Sequence, residues 1–218
     1  MRIGILGSGL MGGKLGTIWA RAGHDVVFSY SHSDRKLTKL AREAGHRATP
    51  GTPAEAAQCD ALLLAGHWSR VNDVLKRAGD LSGKVVISCS LPMNRSDTAL
   101  VIAHTRSGAE ALAAKLRNAR VVSAFSTVPS EVLFGVYAAR RRKLKPSLVY
   151  CGDDARAKRI AALLIRAAGF DPVDAGPLHI ARFTEPFTLL IAQLAYERKG
   201  GPELAYRFER LRHGARTR

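Results

Sequence analysis

Arg2-Ile3-Gly4-Ile5-Leu6-Gly7-Ser8-Gly9-Leu10-Met11-Gly12 is the stretch that decides the fold. After Arg2, Ile3-Gly4-Ile5-Leu6 is apolar and β-branched enough for a buried strand, and the remainder is a G-x-G-x-x-G running into a helical pattern. Here Gly7 permits a tight turn and Gly9 lets backbone approach a pyrophosphate. Gly12 lets the helix pack closely on the strand. The free N–H groups of such a helix start favour an anion. With 20 glycines in the chain such a string can arise by chance; the strand before it and the helix after it give it meaning.

Outward from this turn the chain alternates. Short apolar runs at 2–6, 25–30, 61–65, 84–88, 120–124, 147–151 and 171–174 read as strands. Helical patterns lie between them, near 11–22, 34–44, 69–78, 107–117, 130–139 and 154–168. This alternation predicts an α/β fold, a doubly wound, mainly parallel sheet covered by helices on both faces. Ala61-Leu62-Leu63-Leu64 and Val85-Val86-Ile87 suit strands buried on both sides. After Pro177 the pattern changes to one longer helix over 178–198, bent at Pro186, and a polar, Arg-rich tail. We therefore divide the chain into a nucleotide-binding domain, 1–176, and a small C-terminal helical extension with a basic tail, 177–218.

The 218 residues suffice for one sizeable domain with a small appendage. At 46% hydrophobic and 24% charged residues, intrinsic disorder is excluded. No apolar run approaches the ~20 residues that span a bilayer, so no membrane partner is expected. Cys59, Cys89 and Cys151 stand far apart, without metal-ligand or disulfide spacing, so no metal site is expected either. Met1-Arg2 runs straight into the first strand, leaving no room for a secretory signal. Both features predict a cytoplasmic protein. The formal charge of +16 is the unusual number, and it attracts polyanions. Arg140-Arg141-Arg142-Lys143 with Lys145, and the tail from Arg207 to Arg218, supply nine of those charges. No nucleic-acid motif or aromatic interleaving accompanies them, so nucleic acid is not the expected partner.

The end of the second strand chooses the dinucleotide. An NAD site places Asp or Glu there for the ribose 2′-hydroxyl. This chain reads Phe28-Ser29-Tyr30-Ser31-His32-Ser33-Asp34-Arg35-Lys36, with no acid at the strand end. Its hydroxyls, imidazole and cations fit a 2′-phosphate, so NADP(H) is the expected cofactor.

Further stretches carry a resemblance. They are Gly23-His24-Asp25, Cys59-Asp60, Val121-Val122-Ser123-Ala124-Phe125-Ser126-Thr127-Val128-Pro129, Cys151-Gly152-Asp153-Asp154 and Val173-Asp174-Ala175-Gly176-Pro177-Leu178. Together with the opening turn, the chain resembles the NADP oxidoreductases that couple to coenzyme F420, a deazaflavin. The reductase domains of eukaryotic membrane metalloreductases share that fold family. The resemblance implies a Rossmann-type fold and an NADP-dependent enzyme passing a hydride between NADP(H) and a second redox ring, coenzyme F420 among the choices. A flavin, quinone, imine or carbonyl acceptor, and a non-catalytic NADP-binding role, stand as alternatives.

Carried over by position, the cofactor-binding residues are Gly7, Ser8, Gly9, Leu10, Met11 and Gly12 at the phosphate turn, and Tyr30, Ser31, His32 and Arg35 at the 2′-phosphate. Ala65, Gly66, His67 and Trp68 flank the adenosine and nicotinamide. Ser90, Leu91, Pro92 and Met93, with Ser126, Thr127 and Pro129, border the nicotinamide and its small-molecule partner. The chain departs from the family where Tyr30-Ser31-His32 replaces Ser-Arg-Arg and Ser126-Thr127 replaces His-Thr, and in the longer loop from Asn94 to His104. His67 and His104 are the candidate catalytic groups, since imidazole is a suitable general acid near neutral pH. Asp153-Asp154 reads as a helix cap. Apolar residues along the C-terminal helix (Phe183, Phe187, Leu189, Leu190, Ile191, Leu194) predict a homodimer.

Overall fold

In the computed structural model, which describes residues 1–31 and 33–211, the alternating pattern becomes a single eight-stranded sheet. Its strands are β1 (Arg2–Leu6), β2 (Asp25–Ser29), β3 (Ala48–Pro50), β4 (Ala61–Leu64), β5 (Val85–Ser88), β6 (Arg120–Ala124), β7 (Ser147–Gly152) and β8 (Asp171–Asp174). The helices are α1 (Leu10–Arg21), α2 (Asp34–Ala44), α3 (Pro53–Ala57), α4 (Val71–Ala78), α5 (Gly108–Lys115), α6 (Val132–Ala138), α7 (Ala155–Ala167) and α8 (Ala181–Tyr196). Strand order is β3-β2-β1-β4-β5-β6-β7-β8. All neighbours pair in parallel except β6 and β7. This is the doubly wound α/β fold of the Rossmann type, with order reversing between β1 and β4.

Side chains of a strand alternate between faces, and the central strands are apolar on both. Ile3, Ile5, Leu63 and Ile87 enter one core layer with Leu15 and Trp19 of α1 and Leu164 of α7. Leu6, Leu62, Leu64 and Val86 enter the other, with Val71 and Val74 of α4 and Leu112 of α5. Trp19 ties the first layer across the chain. Its indole N–H donates to the Leu164 carbonyl at 3.0 Å, and its ring meets Phe125 edge-on with centroids 5.7 Å apart.

The departures from the sequence reading have physical reasons. β3 was not expected: it is a three-residue edge strand ending in Pro50, with no apolar run to announce it. α3 lies outside the helical patterns of the sequence, though Thr52 and Glu55 form a capping box at its start, Glu55 N–H donating to Thr52 Oγ1 at 3.2 Å. The expected helix over 178–198 is a 3-10 turn, Leu178–Ile180, followed by α8, which continues through Pro186. Phe134 of α6 is 40% exposed. It lines an open groove of about 790 Å³ beside α1, with the Arg21 guanidinium 5.8 Å from its ring centre. The tail is not merely polar. Tyr206 packs against the first core layer, between Phe187 and Phe208, with centroids 5.3 Å away on each side. Asp154 caps α7 as expected, accepting from Ala157 N–H at 2.7 Å.

α8 is locked to α5 by charge. The Arg182 guanidinium donates to both carboxylate oxygens of Glu110, at 2.9 and 2.6 Å, while Glu110 also accepts from Ser107 in the capping box of α5. The guanidinium contact, with the Ser107 bonds, holds the Glu110 carboxyl down to about 2.

Two expectations follow. At Gly12 an added Cβ would fall on the Gly7 carbonyl oxygen and press the Ile5 side chain. Gly12→Ala should therefore destabilise by about 1–3 kcal/mol in denaturant unfolding; an unchanged midpoint would contradict this close approach. The Glu110 contribution, from a carboxyl depressed below its ordinary 4.5, is present above that pH and lost as pH falls toward 2. Arg182→Leu should flatten this acid limb of a stability–pH curve, and an identical limb in both proteins would refute it.

Candidate functional site

The turn after β1 is tight. Gly7 has φ +115°, which L-side chains rarely adopt. Its N–H and that of Ser8 donate to the Ser29 and Tyr30 carbonyls at 3.2 Å, pinning the turn to the end of β2. The Ser8 hydroxyl, buried, donates to Ser29 O at 2.9 Å and so serves the turn itself. Gly9 precedes α1 without any side-chain cap, and no acid stands in the first turn. A Cβ at Gly9 would meet nothing within 4 Å, so its Cα faces open space. The first N–H groups of α1, lacking carbonyl partners four residues back, open onto that space. Leu10 beside them is 71% exposed.

A cavity of about 270 Å³ lies at this turn, lined by Gly7, Ser8, Gly9, Tyr30, Ser31, Ala65, Gly66 and His67 together with Lys36, Arg70, Asp73 and Arg77. The first eight are residues the sequence pointed to. Lys36 was noted only as a cation near the strand end; Arg70, Asp73 and Arg77, at or just before α4, were not singled out. Their signal was the run of polar residues after His67-Trp68, which helical spacing turns to one face. Arg35 is exposed and is not among the lining residues, and His32 lies outside the described residues.

Tyr30 forms the far wall. It sits at φ 55°, unusual for a bulky residue. Its hydroxyl donates to Asp73 Oδ2 at 2.7 Å, and Arg77 lies 5.7 Å from its ring centre while bonding the same carboxylate oxygen at 3.1 Å. Burial, then the Asp73 contact, push the phenol upward; the tyrosine hydrogen bond, then Arg77, pull Asp73 downward. The single carboxylate on this cavity is thus engaged twice, while Lys36 and Arg70 add positive charge around it.

His67 lines the cavity with both ring nitrogens committed. Nδ1 accepts from the Ser69 N–H at 3.2 Å, which leaves the proton on Nε2, 2.9 Å from Asp97 Oδ1. His104 is exposed in the loop after β5, at φ 62°, and does not line this cavity. Trp68 packs with the second core layer.

The remaining residues follow β5 and β6, at the same carboxyl edge of the sheet. The Ser90 hydroxyl donates to Gly66 O at 2.7 Å, joining the two loops. Leu91 and Met93 are half-buried and Pro92 is buried; Met93 bridges to Leu100 across the long loop. Ser126 is half-buried and Pro129 buried. Thr127 is buried, its hydroxyl 2.7 Å from that of Tyr206, a partner no local motif announced. Among the described residues no cluster of His, Cys, Asp and Glu could hold a metal, and no helix is long and apolar enough to cross a membrane.

Residues 2–92 match the family described as NADP oxidoreductase, coenzyme F420-dependent. The metalloreductase STEAP3 of Rattus norvegicus is 27% identical over 191 residues, which are 86% of this chain and 36% of that protein. The chain thus spans about a third of the curated relative it matches. Among solved structures, a candidate F420-dependent NADP-reductase of Arthrobacter sp. FB24 aligns with TM-score 0.83 and 23% identity, over 95% of this chain and 99% of that one. A hypothetical protein of Sinorhizobium meliloti aligns at 0.72 and 23%, over 96% of each. A reductive aminase of Aspergillus terreus bound to NADPH aligns at 0.64 and 18%, over 87% of this chain and 60% of that one. At these identities the likeness is one of fold.

Removing the Tyr30 hydroxyl tests the wall directly. In Tyr30→Phe the Asp73 carboxyl should titrate at higher pH than in the parent protein, followed by its carbon NMR signal; an unmoved midpoint would mean the hydroxyl does not hold it.

Proposed function

We propose, from the match of residues 2–92 to the family described as NADP oxidoreductase, coenzyme F420-dependent, that this chain binds NADP(H) and passes a hydride between it and a second redox ring. The observation that carries the reading is the uncapped start of α1 opening onto a cavity where Lys36, Arg70 and Arg77 face one already engaged carboxylate. An NAD-type site needs a free acid at the end of β2; Tyr30 and Ser31 stand there instead.

In this reading the backbone from Gly7 to Gly12 holds the pyrophosphate. Tyr30, Ser31, Lys36 and Arg70, which line the cavity, with His32 and Arg35 of the same stretch of sequence, attract the 2′-phosphate. Ala65, Gly66, His67 and Trp68 flank the dinucleotide, and Ser90 fixes the Gly66 carbonyl beneath it. Leu91, Pro92, Met93, Ser126, Thr127 and Pro129 border the nicotinamide and its partner. Bound NADPH supplies the hydride. The protein's work is to align two planar rings and exclude water, which asks for no proton donor. That agrees with His67, whose ring nitrogens are both occupied.

Coenzyme F420 is the partner ring the family description favours. Ser126, standing where the family pattern has an imidazole, keeps a flavin, quinone, imine or carbonyl acceptor as the second reading. The exposed apolar residues Phe183, Leu190 and Leu194 on α8 support a homodimer, with 177–218 as the extension that encloses the acceptor side.

Calorimetry with NADPH and NADH tests the nucleotide. Lys36→Ala and Arg70→Ala should each weaken NADPH about tenfold, the loss of one charge-assisted contact, and leave NADH unchanged; Arg35→Ala should do less. Equal losses for both nucleotides would refute the 2′-phosphate role. Loss of deazaflavin absorbance on mixing protein, NADPH and coenzyme F420 tests the acceptor, and absence of turnover between pH 5 and 9 would exclude it.

A further inference from the structure

Glu185, in the second turn of α8, is 2% exposed and faces the start of α5. Its two carboxylate oxygens accept from the Gly108 and Ala109 N–H groups at 2.8 and 2.9 Å. These amides have no carbonyl partner within α5, so the carboxylate from α8 closes a helix that begins 77 residues earlier. Gly108 in turn is the floor under Pro92: a Cβ there would come within 2.8 Å of the proline ring. The Pro92 carbonyl accepts from Val101 N–H at 2.7 Å, anchoring the long loop that also carries Asp97, the partner of His67. An unbroken series of contacts therefore runs from Glu185 through Gly108 to Pro92 and the loop after β5.

We infer that Glu185 is a positioning residue, whose carboxylate sets the height of the α5 start and with it the Ser90–Met93 segment that borders the nicotinamide. The inference rests on the NADP(H) reading for its functional consequence, though not for the mechanical coupling.

The charged surroundings make this contact responsive to pH. Arg182, one turn away on α8, is committed to Glu110 of α5, the charged group that acts on the buried carboxylate. The Cys151 thiol of β7 lies nearby, under the influence of Glu185, Asp153 and Lys158, and Lys158 is itself paired with Asp174 at 2.8 Å. Burial raises the Glu185 carboxyl to about 7, against the opposing pull of the two amides. Above that pH both oxygens accept; below it one becomes a hydroxyl and an amide loses its better partner.

The test compares NADPH with 2′-phospho-ADP-ribose, which has the same phosphates and lacks the nicotinamide. In the intact protein, the preference for NADPH should fall about threefold to tenfold as pH drops from 8 to 6. In Glu185→Gln it should sit at the low value throughout, with 2′-phospho-ADP-ribose binding as before. Glu185→Asp, charged but one methylene short, should keep the pH dependence at reduced amplitude. Equal losses for both ligands, or a preference in Glu185→Gln that tracks the parent, would overturn the proposal. A ligand-free arm uses amide hydrogen exchange. Exchange at Val101 should quicken in Glu185→Gln, and unchanged exchange there would sink the coupling. If the intact protein bound neither ligand, the nucleotide reading would fall, while the exchange result would still decide the role of Glu185.

Discussion

The contact on which the rest depends is the approach of α1 to β1 at Gly12, where no side chain separates helix backbone from the Gly7 carbonyl. That closeness sets where α1 begins relative to the sheet edge. It lets Gly7 turn with positive φ, ties the turn to β2 through Ser29 and Tyr30, and leaves the first amides of the helix uncapped. Trp19 at the other end of α1 then carries the placement across to α7. The same geometry that closes the core thus presents a set of unsatisfied donors at one edge, and the two demands are met by the same glycine.

Much of this was legible because it is written locally. A strand–turn–helix with glycines in fixed places, and continuous apolar runs for the central strands, carry their meaning within a dozen residues. What escaped was held together by distance in sequence. β3 is stabilised by pairing with β2 rather than by its own three residues. Arg70, Asp73 and Arg77 join Tyr30 only because α4 packs beside the end of β2. Tyr206 finds Thr127 across 79 residues, and two aromatics, Tyr206 and Phe208, in an arginine-rich tail give too short a pattern to read. The glycine turn, Tyr30 and the loop after β4 were therefore visible in advance, while the α4 side of the cavity was not.

The excess charge also has a more particular meaning than composition allows. Some of it is neutralised within the fold, as at Arg182 and Glu110, Lys158 and Asp174, or Arg120 and Asp154. Other cations stay at the nucleotide turn, with Lys36 and Arg70 on the cavity and Lys14 and Arg140 on the adjoining groove. A basic pI is thus a matter of where unpaired cations are left.

The one antiparallel pairing of the sheet has a bearing on this. Because β7 runs against β6, pairing Ala124 with Tyr150, the chain re-enters the sheet at Ser147 on the side where β6 ended. The segment Arg140–Lys145, leading into β7, is delivered toward the edge that carries the phosphate turn, where a parallel strand would have been fed from the opposite rim. Reversal of the last two strands, β7 and β8, thereby brings this basic run to the rim where the glycine turn lies. Anions approaching from solution would be drawn to one rim before any atomic contact forms, and added salt would erase that advantage within a Debye length of about 8 Å at physiological ionic strength.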